Sequence, residues 1–367
     1  MTITASAFIG LLTVTFYLAK ESRADVEFRF AGPTSSQPMS LSADGTLLAV
    51  ANPDNDSVSF FDVQSDSNRK LAEVSVETEP NSVALNPEGT RAYVANTVSG
   101  TVTVIAITRG SANFARVLTN IKVGTEPYGV ALTPNGNKLY VTNARSNSVS
   151  VIDTNTYQNY RTIENAGPEP RGIAITNNLN DNDDDETVFV TQFLALPLAG
   201  KPDGEDDSKA GVVTVLSTAT DSIERTIVLS PMADSGFKAA GDAFARVAPP
   251  ATPVEADFKF VTGAYPNQLN SVGIRGNFAF FPSTGSSPNG PVRFNVNTQS
   301  LLSVVDIARN VDAGRTINMH TAVRDQTNAR KTFITVPWSI AFKNSKDEAY
   351  VVSAASNLVV KLAVDQA

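Results

Sequence analysis

The chain has no cysteine, a single histidine and a single tryptophan among its 367 residues. The missing thiols exclude disulfides, thiolate metal sites, cysteine nucleophiles and covalent c-type haem attachment within this sequence. One histidine, His320 in "NMHTAVRD", rules out a two-histidine zinc set. Charge is sparse as well, at 18% of residues, and the net charge of −8 leaves no broad basic surface for nucleic acid. The uncharged apolar run "ASAFIGLLTVTFYLA", Ala5 to Ala19, is short for a bilayer-spanning helix. What the chain does have is 22 glycines, 20 prolines and 42% hydrophobic residues, a mix that suits a turn-rich β protein with a buried core.

The N-terminal run has the length of a signal-peptide core. Ser22 and Ala24 supply small residues at the −3 and −1 positions of a cleavage before Asp25, although no Lys or Arg precedes the run. The expectation is a signal peptide over residues 1–24 and a periplasmic or extracellular mature chain over 25–367. The alternatives are a membrane anchor and an N-terminal strand.

The body of the chain repeats. "PYGVALTPNGNKLYVTNARSNSVSVID" starts at Pro127, "PNSVALNPEGTRAYVANTVSGTVTVIA" at Pro80 and "PMSLSADGTLLAVANPDNDSVSFFD" at Pro38. A fourth copy starts at Pro170, and degenerate copies start at Pro266 and Pro337. Within a copy, an apolar strand (Val130–Leu132) meets an Asn-Gly turn. A second strand (Leu139–Val141) ends at Asn143, and a third alternates through Val149 and Val151. A looser fourth strand, "YRTIENAG", returns to the next proline. Asn52, Asn96 and Asn143 recur at one place and read as turn-initiating residues.

Four strands per roughly 43 residues is the signature of a propeller blade. One such sheet cannot bury both faces, whereas a ring of them can. The fold class is therefore an all-β propeller with six detectable blades: either a closed six-bladed ring or a truncated seven-bladed one. The last copy stops after its third strand, "NLVVKL". The lone strand "DVEFRF", Asp25 to Phe30, is a candidate for the missing fourth. Three insertions break the rhythm, at 178–186, 194–211 and 231–264. The third contains an Ala-rich part that reads as a short helix. Long loops on a rigid scaffold are the usual seat of function.

"LYVTN" followed by "SNSVSVID" resembles the YVTN-type β-propeller repeat family, whose wider relatives include lactonase-like and quinoprotein-dehydrogenase-type propellers. The resemblance spans about Pro33 to Ala367. It implies a secreted binding or assembly scaffold. It also admits a haem-free portion of a longer c-type cytochrome protein, or a lactonase-like hydrolase. The last would need a metal or a His/Glu/Arg cluster in the channel, and this chain is poor in histidine.

Four constellations carry the functional expectations. The residues after the repeat prolines, Met39, Asn81, Tyr128, Arg171, Asn267 and Trp338, should ring one channel mouth and face an unknown protein or small-molecule partner. The residues before them, Glu79, Glu126 and Glu169, should form an acidic arc on the same rim. Asp181, Asp183 and Asp185 in "DNDDDE" alternate like the first ligands of a calcium loop, though the glycine and distal glutamate of such a loop are missing. "DGEDD", Asp203 to Asp207, offers a second acidic turn. His320 has no G-x-S-x-G elbow beside it and reads as structural.

Overall fold

In the computed structural model, residues 34–35, 37–64, 68–239, 259–289, 297–325, 333–343 and 346–364 are described. The repeat folds as read: six antiparallel blades arranged as a β-propeller. Blade 1 comprises Met39–Leu41, Leu47–Asn52, Ser57–Asp62 and Arg69–Ser75. Blade 2 comprises Pro80–Leu85, Arg91–Asn96, Thr101–Ala106 and Arg116–Lys122. Blade 3 comprises Pro127–Leu132, Lys138–Asn143, Ser148–Asp153 and Gln158–Ile163. Blade 4 is built on Pro170–Ile175, Thr187–Gln192, Lys209–Ser217 and Ser222–Leu229. Blade 5 centres on Phe278–Ser286 and Thr298–Asp306. Blade 6 has three strands among the described residues, Pro337–Phe342, Glu348–Ser353 and Leu358–Ala363.

Alternation decides which side chain seals which face, because successive strand residues point to opposite sides. In blade 3, Leu139, Val141 and Ile152 pack toward blade 2, while Tyr140, Val149 and Val151 pack toward blade 4. The first turn of each regular blade needs a left-handed residue. Gly45, Gly89 and Gly136 fill it at φ +68°, +63° and +76°.

The recurrent asparagines do more than initiate turns. Asn143 Nδ2 donates to Ser148 Oγ (3.2 Å) and Ser150 Oγ (3.0 Å), across the hairpin. Asn96 does the same to Thr101 and Thr103, and Asn52 to Ser57 and Ser59. The repeat unit is thus an Asn followed at +5 and +7 by hydroxyl residues. Asn96 and Asn143 are buried with their amide nitrogens hydrogen-bonded, as an interior donor demands, whereas Asn52 is half-buried. Asn143 Oδ1 also accepts from Gly124 N (3.1 Å) and so holds the incoming loop.

Five apolar clusters fill the spaces between consecutive blades: 1 with 2, 2 with 3, 3 with 4, 4 with 5, and 5 with 6. Among the described residues no sixth cluster joins blade 6 to blade 1. Side chains at the equivalent positions there are instead exposed: Met39 at 53%, Leu41 at 48%, Val352 at 43% and Val359 at 58%. Among the described residues the hydrogen bonds across that seam lie near the axis, where Gln37 Nε2 donates to Ile340 O (3.4 Å) and Ser339 Oγ donates to Gln37 Oε1.

The candidate closing strand, Asp25 to Phe30, and the signal-peptide region lie outside the described residues. So does the Ala-rich part of the third insertion, apart from the short ladder Lys238–Ala239 with Phe260–Val261 that brackets it. The described chain begins inside the channel. Thr34 pairs with Ile175 and Ser35 with Ala174, antiparallel to the innermost strand of blade 4. The chain therefore climbs toward the end at which Pro170 lies, turns at Gln37–Pro38, and descends as the innermost strand of blade 1. No helix among the described residues is long and apolar enough to cross a membrane.

Candidate functional site at the channel mouth

Strand register, rather than the prolines, identifies the equivalent positions at the mouth. Val130 pairs with Val141 in blade 3, and Met39 pairs with Val50 in blade 1. Met39 is therefore the counterpart of Val130, and Gln37 is the counterpart of Tyr128. Pro38 stands two places further along its strand than Pro127 does, which is why counting from the proline misplaces Met39. Its side chain faces the open seam.

Blade 5 shifts the other way. Ile274 pairs with Ala279, so Asn270 is the counterpart of Tyr128 and Gln268 that of Glu126. The innermost strand of this blade is split into Tyr265–Asn267 and Gly273–Arg275, with a bulge between them. Asn267, the expected mouth residue, is used structurally: its Oδ1 accepts from Ala195 N (2.9 Å) and its Nδ2 donates to Ser286 Oγ (3.2 Å).

With these two corrections the mouth is regular. Gln37, Asn81, Tyr128, Asn270 and Trp338 line one cup of about 220 Å³, joined by Ser82, Ser271 and Ser339 from the next position in their blades. Gln37 and Pro38 cross at the turn of the N-terminal segment and form part of its wall. Arg171, the sixth ring residue, stands beside Tyr128. Its guanidinium lies 5.0 Å from the Tyr128 ring centre and 3.5 Å from that of Phe193. Burial pushes the Tyr128 hydroxyl above the ordinary phenol range, with Arg171 pulling the other way.

The polar groups of the cup are incompletely matched. Asn270 and Ser271 are buried, yet Asn270 Oδ1 and Ser271 Oγ have no hydrogen-bond partner, and neither has Arg171 Nε. Unmatched buried polar atoms are rare in native interiors and costly, on the order of 1–3 kcal/mol each. Two of these atoms, on Asn270 and Ser271, belong to residues that line the cup, and Arg171 stands beside Tyr128. Gly172 allows the bulge to come this close: a Cβ there would meet Ser271 Cα at 2.6 Å.

The acidic arc is present on the rim, with a structural basis. Glu79, Glu126 and Glu169 all adopt positive φ (+59°, +53°, +49°), as do Gln268 and Val336 at the same place in blades 5 and 6. The carbonyls of Glu79, Glu126 and Glu169 accept from the backbone N–H of Thr97, Ala144 and Phe193, each just past the end of its blade's second strand. The turn shape is what recurs, and glutamate is one of several residues that serve it. Glu126 and Glu169 sit 3.7 Å from Arg145 and 3.6 Å from Arg171, so the arc is partly neutralised.

The acidic turn of blade 4 takes a different role from the one expected. Asp183 is buried and accepts from the Thr133 hydroxyl (2.7 Å), Asn135 N (2.9 Å), Asn137 N (3.1 Å) and Asn137 Nδ2 (2.9 Å). It staples this loop to the first turn of blade 3, while Asp181 and Asp185 remain exposed. Among the described residues no group of three or more His, Cys, Asp or Glu is placed to hold a metal ion. In "DGEDD", buried Asp206 accepts from Gly263 N (2.7 Å) and Asn289 N (2.6 Å), tying the second insertion to its neighbours.

His320 is remote from the cup. It lies in the short helix Met319–Arg324, between the edges of Phe237 and Phe333, and its Nε2 accepts from Ile334 N (3.1 Å). Burial lowers its pKa to about 4, so it is neutral and structural at physiological pH.

Comparison with known proteins agrees with this architecture. The family model described as lactonase, 7-bladed beta-propeller, matches residues 15–128. A chain of Kuenenia stuttgartiensis hydrazine synthase superposes with a TM-score of 0.61 at 16% identity, covering 96% of this chain and 81% of that one. A chain of the mitotic checkpoint complex superposes at 0.53 with 13% identity, covering 91% and 78%. At these identities the likeness is one of fold. The search of curated proteins gave no match.

Proposed function

We propose that the chain is an exported β-propeller that binds a small polar ligand, or the tip of a protein partner, in the cup at its channel mouth. One observation carries this reading: the counterpart residue of blades 1, 2, 3, 5 and 6 lines a single cavity, beside polar atoms of Asn270 and Ser271 that have no partner of their own. The aromatic rings of Tyr128 and Trp338 supply apolar area, and the amides and hydroxyls supply orientation, the usual division of labour in a ligand pocket. The apolar N-terminal run supports export. Calcium is not part of the proposal.

Trp338 is the only tryptophan, so its fluorescence reports on the cup alone. Titration with panels of monosaccharides, amino acids and lactones should give a saturable change for one class. Tyr128→Ala and Asn270→Ala should each weaken that binding at least tenfold. Absence of a saturable response to all three panels would remove the small-ligand reading.

The second reading is a lactonase-like hydrolase, supported by the family-model match over residues 15–128. It requires acid release from a lactone by the purified chain, at a rate that falls when Arg171 or Tyr128 is replaced. Binding without turnover would select the scaffold.

A further inference from the structure

Four residues near the axis of the ring, Thr34, Ser35, Gln37 and Pro38, reach every blade. Thr34 and Ser35 pair with the innermost strand of blade 4 and lie beside those of blades 3 and 5. Gln37 O accepts from Val83 N of blade 2 (3.1 Å). The Gln37 side chain donates to Ile340 O of blade 6 (3.4 Å) and accepts from Ser339 Oγ. Pro38 O accepts from Ala51 N (2.9 Å), where the chain enters blade 1.

These residues also build the cup. Gln37 and Pro38 form part of its wall, and both anchors of Gln37 adjoin the rest of that side: Val83 follows Asn81 and Ser82, and Ser339 follows Trp338. The spacing of these lining residues therefore depends on Gln37 being seated between blades 2 and 6. Its hold is light. Neither Gln37 nor Pro38 belongs to any of the five apolar clusters, Gln37 is half-buried, Pro38 is exposed, and the strand deeper in the channel is only two residues long. A segment held by polar contacts with little apolar burial opens at a lower free energy than the sheets around it.

We propose that these residues form an axial strap that sets the cup. Seated, the strap fixes the spacing of Trp338 and Asn81. Released, it opens the cup into the channel without loss of the ring. Thr34 and Ser35 pair deeper in the channel than the cup, so the strap couples the two levels. A molecule in the cup that touches Gln37 favours the seated state, and whatever draws Thr34 and Ser35 off blade 4 weakens binding at the mouth to the same extent. The consequence for binding rests on the cup being a ligand site; the motion of the strap does not.

The test uses the full chain without ligand. In hydrogen exchange followed by NMR, the Val83 amide, which donates to the strap, should be protected about tenfold less than that of Val141, which is paired on both sides within blade 3. Ser35→Pro breaks the pairing with blade 4 at a residue that does not line the cup. It should lower Val83 protection about tenfold further and raise acrylamide quenching of Trp338 about twofold, with Val141 protection unchanged. Gln37→Ala should act in the same direction. Equal protection of Val83 and Val141 in the unaltered chain would overturn the proposal, because the strap would then let go only when the ring unfolds. So would a Ser35→Pro chain in which Val83 or Trp338 behaves as before, because the two levels would then be uncoupled. Failure of the ligand titrations would remove the binding reading and leave these outcomes intact.

Discussion

Val149 and Val359 hold the same place in their blades, paired across from Thr142 and Val352. One is sealed between blades 3 and 4, and the other is more than half exposed. Sequence, strand position and local backbone are nearly the same, and only the neighbour differs. The contrast shows where propeller stability resides. A blade is a small sheet that leaves much of its apolar surface unused until another blade arrives. Each fully buried valine or leucine is then worth on the order of 2 kcal/mol. The inter-blade seams, not the hairpins, hold the molecule together.

The comparison yields a direct test. Val149→Asp buries an unpaired carboxylate in a finished seam and should cost about 4 kcal/mol or more, enough to unfold much of the ring. Val359→Asp should cost under about 1 kcal/mol in the monomer. Denaturant unfolding of the two variants at low concentration measures the difference. Equal losses would show that the seam between blades 6 and 1 is closed in solution.

The seams also differ in their response to acid. His320 sits beside the cluster between blades 5 and 6, with its pKa lowered from 6.5 to about 4 by burial. The unfolded chain therefore binds this proton more readily than the folded one between those two values. Stability is fully present above about pH 6.5 and falls as pH drops toward 4, by up to about 3 kcal/mol. His320→Gln should flatten that part of the profile. Hydrogen exchange at pH 5 should show the blade 5–6 region opening before the blade 2–3 region. A wild-type profile already flat between pH 6.5 and 4 would contradict the buried, neutral histidine.

The smallest effect concerns the asparagine belt. Asn143 is buried in blade 3 and makes three side-chain hydrogen bonds, whereas Asn52 in blade 1 is half-buried and makes two. Asn143→Ala should cost about 2 kcal/mol and Asn52→Ala about 1 kcal/mol or less, because water can replace the lost bonds at an open face. Thermal melts of the pair would sharpen the contrast. An equal cost would mean that the belt acts within each blade and takes nothing from its surroundings.

Much of the architecture was legible because it is periodic. Alternating valines, the glycine turns at Gly45, Gly89 and Gly136 and the 42- to 47-residue spacing of prolines place blades 1 to 4 without further information. The mouth was only partly legible. Asn81, Tyr128, Arg171 and Trp338 follow a proline in the regular register. Gln37 precedes its proline, and Asn270 lies in a bulge with no proline at all. Counting back from the second strand, through Leu48 and Ala279, would have found both. The acidic stretch misled for a physical reason. Alternation in a turn says nothing about which carboxylate faces inward, and Asp183 turns toward blade 3 because amide and hydroxyl donors wait there. The lack of a sixth cluster among the described residues left no mark in the pattern, since the residues between blades 6 and 1 repeat the apolar spacing of the sealed ones.

The N-terminal strand in the channel bears on how the molecule is made. Thr34 and Ser35 leave the ribosome about 140 residues ahead of the strand they pair with. Blades 1, 2 and 3 are made before the strand's hydrogen-bonding partner, with only the innermost strand of blade 3 beside it. Blade 4 then captures that strand from the side. A long-range pairing of this kind is a late and slow event in assembly, and a chain shortened to begin at Gln37 should refold without it.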